Sequence, residues 1–250
     1  MREKGLSIEE SGRAERYRFY RECAERLDAN VVATGHTLDD QAETVLMRLI
    51  KGSSLKGACG IPPVRTETQD LKVIRPLIEL EKREIVDYLK ESGIDFCVDA
   101  TNAEPEYFRN AVRHEVIPYL EKFNPRIKKA LFNFAAHLRE DFAFIQAEKA
   151  RQASRIISKK GDRISLSLKD IVVQPKALVK EIVRDALNEI GAEIKKLSYA
   201  HWKEIDHFIR AKSKGNCLDL PGGIRMMRDE SALHLFRLAK ADREGARLKT

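Results

Sequence analysis

The passage from Val31 to Thr44 constrains this chain most tightly. Val31, Val32, Ala33 and Thr34 form a short β-prone run without polar alternation, the pattern of a parallel strand buried on both faces. Gly35 interrupts the run, and from Asp39 to Lys51 the apolar residues Ala42, Val45, Leu46, Leu49 and Ile50 recur at helical spacing. A strand that hands over to a helix through a glycine is where open α/β sheets bind ligands. This junction carries His36, Asp39 and Asp40 within five residues, with Glu43 on the same helix face as the two aspartates. Thr37 and Asp40 also stand close to a capping box, and acids in a first turn suit the helix dipole. A cap explains neither His36 nor the adjacent pair of aspartates, so spacing alone leaves a structural and a catalytic role evenly balanced.

The surrounding pattern alternates helices with short strands. Residues 9–28 read as a charged helix with Tyr17, Cys23, Ala24 and Leu27 among its apolar positions. Val73 to Leu77 reads as a strand end, because Pro76 cannot continue an interior ladder. Glu81–Glu91 is an amphipathic helix with Ile85, Val86 and Leu89 inward, closed by Ser92 and Gly93. Asp99 to Asn102 form a turn that leads into a helix carrying Arg109 and Arg113 four apart on one face, which Pro118 should kink or end. Two such guanidiniums can clamp a phosphate or can bridge carboxylates such as Glu106. A long helix from Ile127 to about Ile157 carries Leu131, Phe134, Leu138, Phe142 and Ile145 as a packing stripe. Beyond it, Arg163–Leu168 alternates as a strand, residues 175–190 form a helix and Ser198 caps another. Residues 217–235 read as a three-stranded meander turned by Gly222, Gly223 and Asp229–Ser231.

Charge divides the chain in two. Residues 1–120 hold 18 lysines and arginines against 22 acids, whereas residues 121–250 hold 28 against 17. A basic module beside a near-neutral one suits polyanion binding, although a solvated lysine-rich surface gives the same count. Cys23, Cys59, Cys97 and Cys217 contain no Cys-x-x-Cys pair, so the expectation is buried free thiols in a reducing cytosol. His114, His137, His201, His207 and His234 lack ligand spacing. No apolar run reaches the roughly 18 residues of a membrane span, and the N-terminus has no apolar signal core.

Gly35 to Thr44, with Arg48, Leu49 and Gly52–Gly57, resembles the second signature of the tRNA(Ile)-lysidine synthetases, members of the N-type ATP pyrophosphatase (PP-loop) superfamily. Tyr107 to His114, Arg75-Pro76-Leu77, Arg13–Tyr20 and Leu220–Gly223 extend the resemblance over nearly the whole chain. It implies an α/β fold. Residues 1–120 would be the C-terminal part of a Rossmann-like parallel-sheet ATP pyrophosphatase domain, and residues 121–250 a smaller, mostly helical, tRNA-binding domain with a short antiparallel sheet. The implied reaction is a two-step ligation: ATP adenylates the wobble cytidine of tRNA(Ile) bearing a CAU anticodon, and free L-lysine then displaces AMP.

Within that resemblance Asp40 holds and helps deprotonate the lysine amine, His36 contacts the reacting base or phosphate, and Arg109 stabilises the α-phosphate. Asp39, Glu43, Arg113, Arg13 and Arg16 are nucleotide-proximal or supporting candidates, with Asp39 also a candidate Mg2+ contact. The family's Ser-Gly-Gly-x-Asp-Ser phosphate loop occurs nowhere in these residues, so the expectation is an N-terminally truncated protein that by itself turns over no ATP. Such a chain would present an exposed strand edge and is expected to bind tRNA weakly in the cytoplasm, with a homodimer as one further partner. The competing readings are a catalytically dead tRNA-binding remnant and another PP-loop tRNA-modifying enzyme, such as a thiolase. The absence of paired cysteines argues against the thiolase.

Overall fold

Helix formation begins at α1 (Ile8–Arg26), which leads into β1 (Val31–Ala33). The structure, a computed structural model, describes residues 8–97, 107–211 and 217–238. The expected turn at Asp99–Asn102, Pro105 and Glu106 lie outside the described residues, as does the charged tail. Two compact units divide at Phe142 and Ala143.

In the first unit, β1 runs parallel to β3 (Lys72–Ile74), which pairs antiparallel with β2 (Val64–Thr66), in the order β1-β3-β2. The parallel pairing matches the apolar run, but burial on both faces does not. Val31 is 43% exposed and Ala33 is also exposed, since β1 is an edge strand of the described sheet and one short ladder covers it. Helix α2 (Leu38–Ile50) starts one residue before the sequence boundary, and short α3 (Leu55–Ala58) follows. Ala42, Val45 and Leu46 of α2 form a core with Val112, Ile117, Leu131 and Ala135. Burying that stripe against three other segments is what holds the helix, as helical propensity alone is marginal at this length. Helix α4 (Lys82–Glu91) keeps Ile85, Val86 and Leu89 only half-buried.

Buried Gln41 ties the loop after α3 to this core. Its Oε1 accepts from the Ile61 N–H at 2.6 Å, and Gly60 passes over the amide at φ +67°, where a Cβ would lie 2.7 Å from the carboxamide. Only glycine fits both the left-handed backbone and the close approach.

Pro118 does not end its helix. Helix α5 (Tyr107–Ala111) widens into a π-helical turn (Val112–Val116) and resumes as α6 (Ile117–Glu121) with the proline in its first turn. The Ile117 N–H donates to the Val112 carbonyl, a five-residue step taken just before the residue that has no N–H to give. Helix α7 (Ile127–Ile156) then runs unbroken across the division between the units. The sequence boundary at 120/121 precedes this division by a short connection and the first half of α7, whose Leu131, Phe132 and Ala135 pack into the first unit's core. They also correct the expected stripe: Phe134 is exposed, and Phe132 and Ala135 are buried in its place.

The second unit is a five-stranded antiparallel sheet with helices over it. Strand β4 (Ile157–Lys160) follows α7 directly, one residue from where the sequence ends its long helix, and pairs with β5 (Arg163–Ser167). Short α8 (Leu168–Ile171), α9 (Lys176–Glu189) and α10 (Tyr199–Arg210) come next. The expected meander follows as β6 (Cys217–Leu220), β7 (Ile224–Arg228) and β8 (Ala232–Arg237). Its core joins Ile164, Leu166, Leu233, Leu235 and Met226 of the sheet to Ile182, Leu187, Ile205 and Ile209 of the helices. All four cysteines are free, but only Cys59 is buried; Cys97 and Cys217 are exposed, which corrects the expectation of buried thiols. No helix among the described residues is long and apolar enough to cross a membrane.

Candidate active site

The site is built where β1 delivers the chain into α2. The Thr34 N–H continues the strand by donating to the Ile74 carbonyl at 3.0 Å, and its Oγ1 lies 2.9 Å from His36 Nδ1. This fixes the half-buried imidazole by one nitrogen and leaves Nε2 without a partner among the described residues. Burial lowers the His36 pKa below its ordinary value; Asp40 opposes the shift, and Arg75, Arg109 and Arg13 reinforce it. The ring is therefore neutral at pH 7.

One turn later the capping box is real. Asp40 Oδ2 accepts from the Thr37 N–H at 2.9 Å and its hydroxyl at 3.1 Å, and the Asp40 N–H returns to Thr37 Oγ1. Asp40 does more than cap, because its Oδ1 accepts from Arg109 Nη2 at 3.0 Å. Glu43, 1% exposed, lies beneath. Its Oε2 accepts from Arg109 Nε at 2.7 Å, and its two oxygens accept from Arg113 Nε and Nη2 at 2.6 and 3.1 Å. The hydrogen bonds to Glu43 raise the Arg113 pKa. Helical spacing on α2 and the α5–π segment thus brings Asp40, Glu43, Arg109 and Arg113 into one network of two carboxylates and two guanidiniums.

Both arginines bridge carboxylates, and the partners are Glu43 and Asp40 from 66 to 70 residues away in the chain. Arg109 remains 32% exposed, with Nη1 unpartnered among the described residues, so it keeps a donor for an anion. Asp39 turns away from this group. Its Oδ2 accepts from the Lys82 N–H at 2.7 Å, and its Oδ1 pairs with Lys128 at 2.9 Å. Burial pushes its pKa up, but the Lys82 amide and the Lys128 ammonium outweigh that and hold it below the ordinary carboxylate value. A metal at Asp39 would have to displace an ammonium, and among the described residues no three His, Cys, Asp or Glu side chains gather as a metal site. These residues do not fit a resident Mg2+.

Arg13 lies on Tyr17, donating to its hydroxyl at 3.3 Å with the guanidinium 5.1 Å from the ring. Arg16 is exposed and makes no hydrogen bond or ion pair among the described residues. Residue spacing did not single out Arg75, Thr34 or Lys128. Arg75, 3% exposed, donates to the Pro62 carbonyl at 2.6 Å and to the Tyr17 hydroxyl at 3.1 Å. Its place directly after a strand was visible in the sequence. Lys128 gathers Asp39, Glu81 and Glu121, and no local pattern links it to them.

Residues 1–120 match the PP-loop domain family. The chain is 33% identical over 225 residues to a tRNA(Ile)-lysidine synthase from Caldanaerobacter subterraneus subsp. tengcongensis, covering 90% of this chain and 47% of that protein. It is 31% identical over 236 residues to a tRNA(Ile)-lysidine synthase from Clostridioides difficile, covering 93% of this chain and 50% of the relative. The chain therefore spans about half the length of the curated relatives it matches. Among solved structures, the U34-tRNA thiolase NcsA from Methanococcus maripaludis aligns with a TM-score of 0.47 at 21% identity, over 56% of this chain and 46% of its own.

Proposed function

We propose, from the match of residues 1–120 to the PP-loop domain and the 31–33% identity to tRNA(Ile)-lysidine synthases along nine-tenths of the chain, that this protein carries the amine-activating part of an ATP-dependent tRNA ligase. The substrates in this reading are tRNA(Ile) with a CAU anticodon, ATP and free L-lysine, and the setting is the cytoplasm. The observation that carries it is the Asp40–Arg109–Glu43–Arg113 network beside a neutral His36 at the mouth of a parallel strand.

A lysine side chain is an ammonium at pH 7, with a pKa of about 10.4 in water, so attack on an activated cytosine carbon requires an acceptor for its proton. Asp40 has a lone pair left on Oδ1 after Arg109, enough to seat the ammonium. The open Nε2 of His36 faces the base or its phosphate. Nη1 of Arg109 meets the charge that gathers on the α-phosphate as AMP departs. Glu43 and Arg113 hold Arg109 in place, and Arg13 and Arg16 remain peripheral. The target cytidine lies in a single-stranded loop, where unstacking costs little. The Ser-Gly-Gly-x-Asp-Ser loop is absent from these residues, so in this reading they do not cradle the triphosphate and alone turn over no ATP. The exposed edge of β1 is the surface on which a homodimer would form.

A graft tests the proposal. Residues 8–238 would replace the matching stretch of the Caldanaerobacter relative, and incorporation of labelled lysine into tRNA(Ile) would be measured. The graft should form lysidine, and Asp40→Asn within it should lower the rate at least a hundred-fold. A graft that folds, binds tRNA and forms no lysidine favours the tRNA-binding remnant, and an unchanged Asp40→Asn rate removes the role given to that carboxylate.

A further inference from the structure

The second unit contains a cavity of about 300 Å³ between the first turns of α9 and α10, far in sequence from the network above. Lys176, Lys180, Tyr199, Trp202, Lys203 and Asp206 are its polar and aromatic lining. We propose that this cleft binds one unpaired nucleotide of an RNA strand, its base on Trp202 and Tyr199 and its flanking phosphates on Lys180 and Lys203. The choice of RNA rests on the tRNA-ligase reading; the site itself is argued from its own chemistry.

The volume is at the lower end of ligand-sized clefts and suits a base with its sugar. Trp202 is half-buried, with one side packed on the unit's core, and Lys180 Nζ stands 5.5 Å from its ring centre. Tyr199 is 73% exposed, and Lys203 Nζ lies 5.0 Å from its ring. A large aromatic left in water beside a cation is what a base-stacking platform requires.

The charges favour an anion. Asp206 is neutralised by Lys176 at 3.0 Å and Arg210 at 2.9 Å, and Glu181 by Arg184 at 2.6 Å. Lys180 and Lys203 form no ion pair among the described residues. Two ammoniums thus stand against two aromatic rings without an ion pair among the described residues; Glu181 acts on Lys180 only through space, and Arg184, 5.4 Å from the Trp202 ring, adds a third cation. An acidic peptide would satisfy the lysines but leave the rings unused, and a duplex would hide the base faces the rings need.

Trp202 is the only tryptophan in the chain, so its fluorescence reports on this cleft. The full 250-residue chain would be titrated with a single-stranded RNA hexamer, the same hexamer in a duplex, and polyglutamate, without ATP or lysine. The single strand should quench Trp202 saturably. With two or three phosphates neutralised, binding should weaken about 7- to 20-fold between 50 and 200 mM salt. Tyr199→Ala should weaken binding about ten-fold, and Lys203→Ala should lessen the salt dependence by about one phosphate. Both side chains are exposed, so unchanged circular dichroism is expected; Trp202→Phe, followed by filter binding, should keep most of the affinity. Hexamer binding that leaves Trp202 unquenched, or equal quenching by the duplex or by polyglutamate, overturns the proposal. A failed graft with a quenched Trp202 would sink the ligase reading alone, and the reverse result this one alone.

Discussion

Replacing Glu43 with glutamine removes one charge from beneath two guanidiniums while keeping the side chain's size. Breaking a buried ion pair from one side costs about 3–5 kcal/mol, because the surviving charge is left without compensation. Glu43 is almost fully enclosed, but Arg109 and Arg113 are each 32% exposed, and Asp40 still faces Arg109. Water can therefore recover part of the loss, and we expect about 2–3 kcal/mol. For a chain of this size that is a fall in unfolding midpoint of about 4–12 °C. Urea unfolding by far-UV circular dichroism would measure the loss, and hydrogen exchange would locate it in residues 38–50 and 107–121. A double-mutant cycle adds a sharper expectation. Glu43 should couple more strongly to Arg113, which gives it two hydrogen bonds, than to Arg109, which gives it one. A cost below about 0.5 kcal/mol with unchanged exchange in both segments would refute the reasoning, since a network that holds the arginines cannot be removed without effect.

Lys128→Met should cost about 1–2 kcal/mol at pH 7, because Asp39, Glu81 and Glu121 then repel one another without the ammonium between them. The Asp39 pKa is depressed in the folded state, so its share of this stability is present above pH 3.8 and lost as pH falls through the lower folded value; unfolding at pH 7 and pH 3 should show the gap narrowing. In the grafted enzyme the acid limb of the rate profile should lie below pH 6.5, because the lowered His36 pKa keeps the ring neutral down to that point; His36→Asn should abolish that limb. Gly60→Ala should destabilise by roughly 2 kcal/mol or more, through left-handed strain together with a contact against Gln41, as read by the shift in urea midpoint.

Much of the architecture was legible along the chain because its signals are local. Thr37 and Asp40 cap α2 from three residues apart, Gly93 closes α4 at φ +64°, and Gly222 and Gly223 turn the meander. The apolar period placed α2 and α9 to within a residue or two, since burying one face of a helix leaves a 3.6-residue trace, and the Ser198 cap marked where α10 begins. Strand β4 was not legible: Ile157–Lys160 show no apolar alternation of their own and are strand because Arg163–Ser167 pairs alongside them.

For the site, composition and spacing determined which chemical groups stand at the strand–helix junction, namely an imidazole and three carboxylates in eight residues. Tertiary packing decided their partners. It sent Asp39 to Lys128, 89 residues onward, while Asp40 and Glu43 met Arg109 and Arg113 across a π-helical turn. Neighbouring carboxylates on one helix are separated by about a hundred degrees of rotation, so each meets whatever the fold brings to its own side. A side chain's charge is written in the sequence, but its counter-charge depends on which distant segments share its surface.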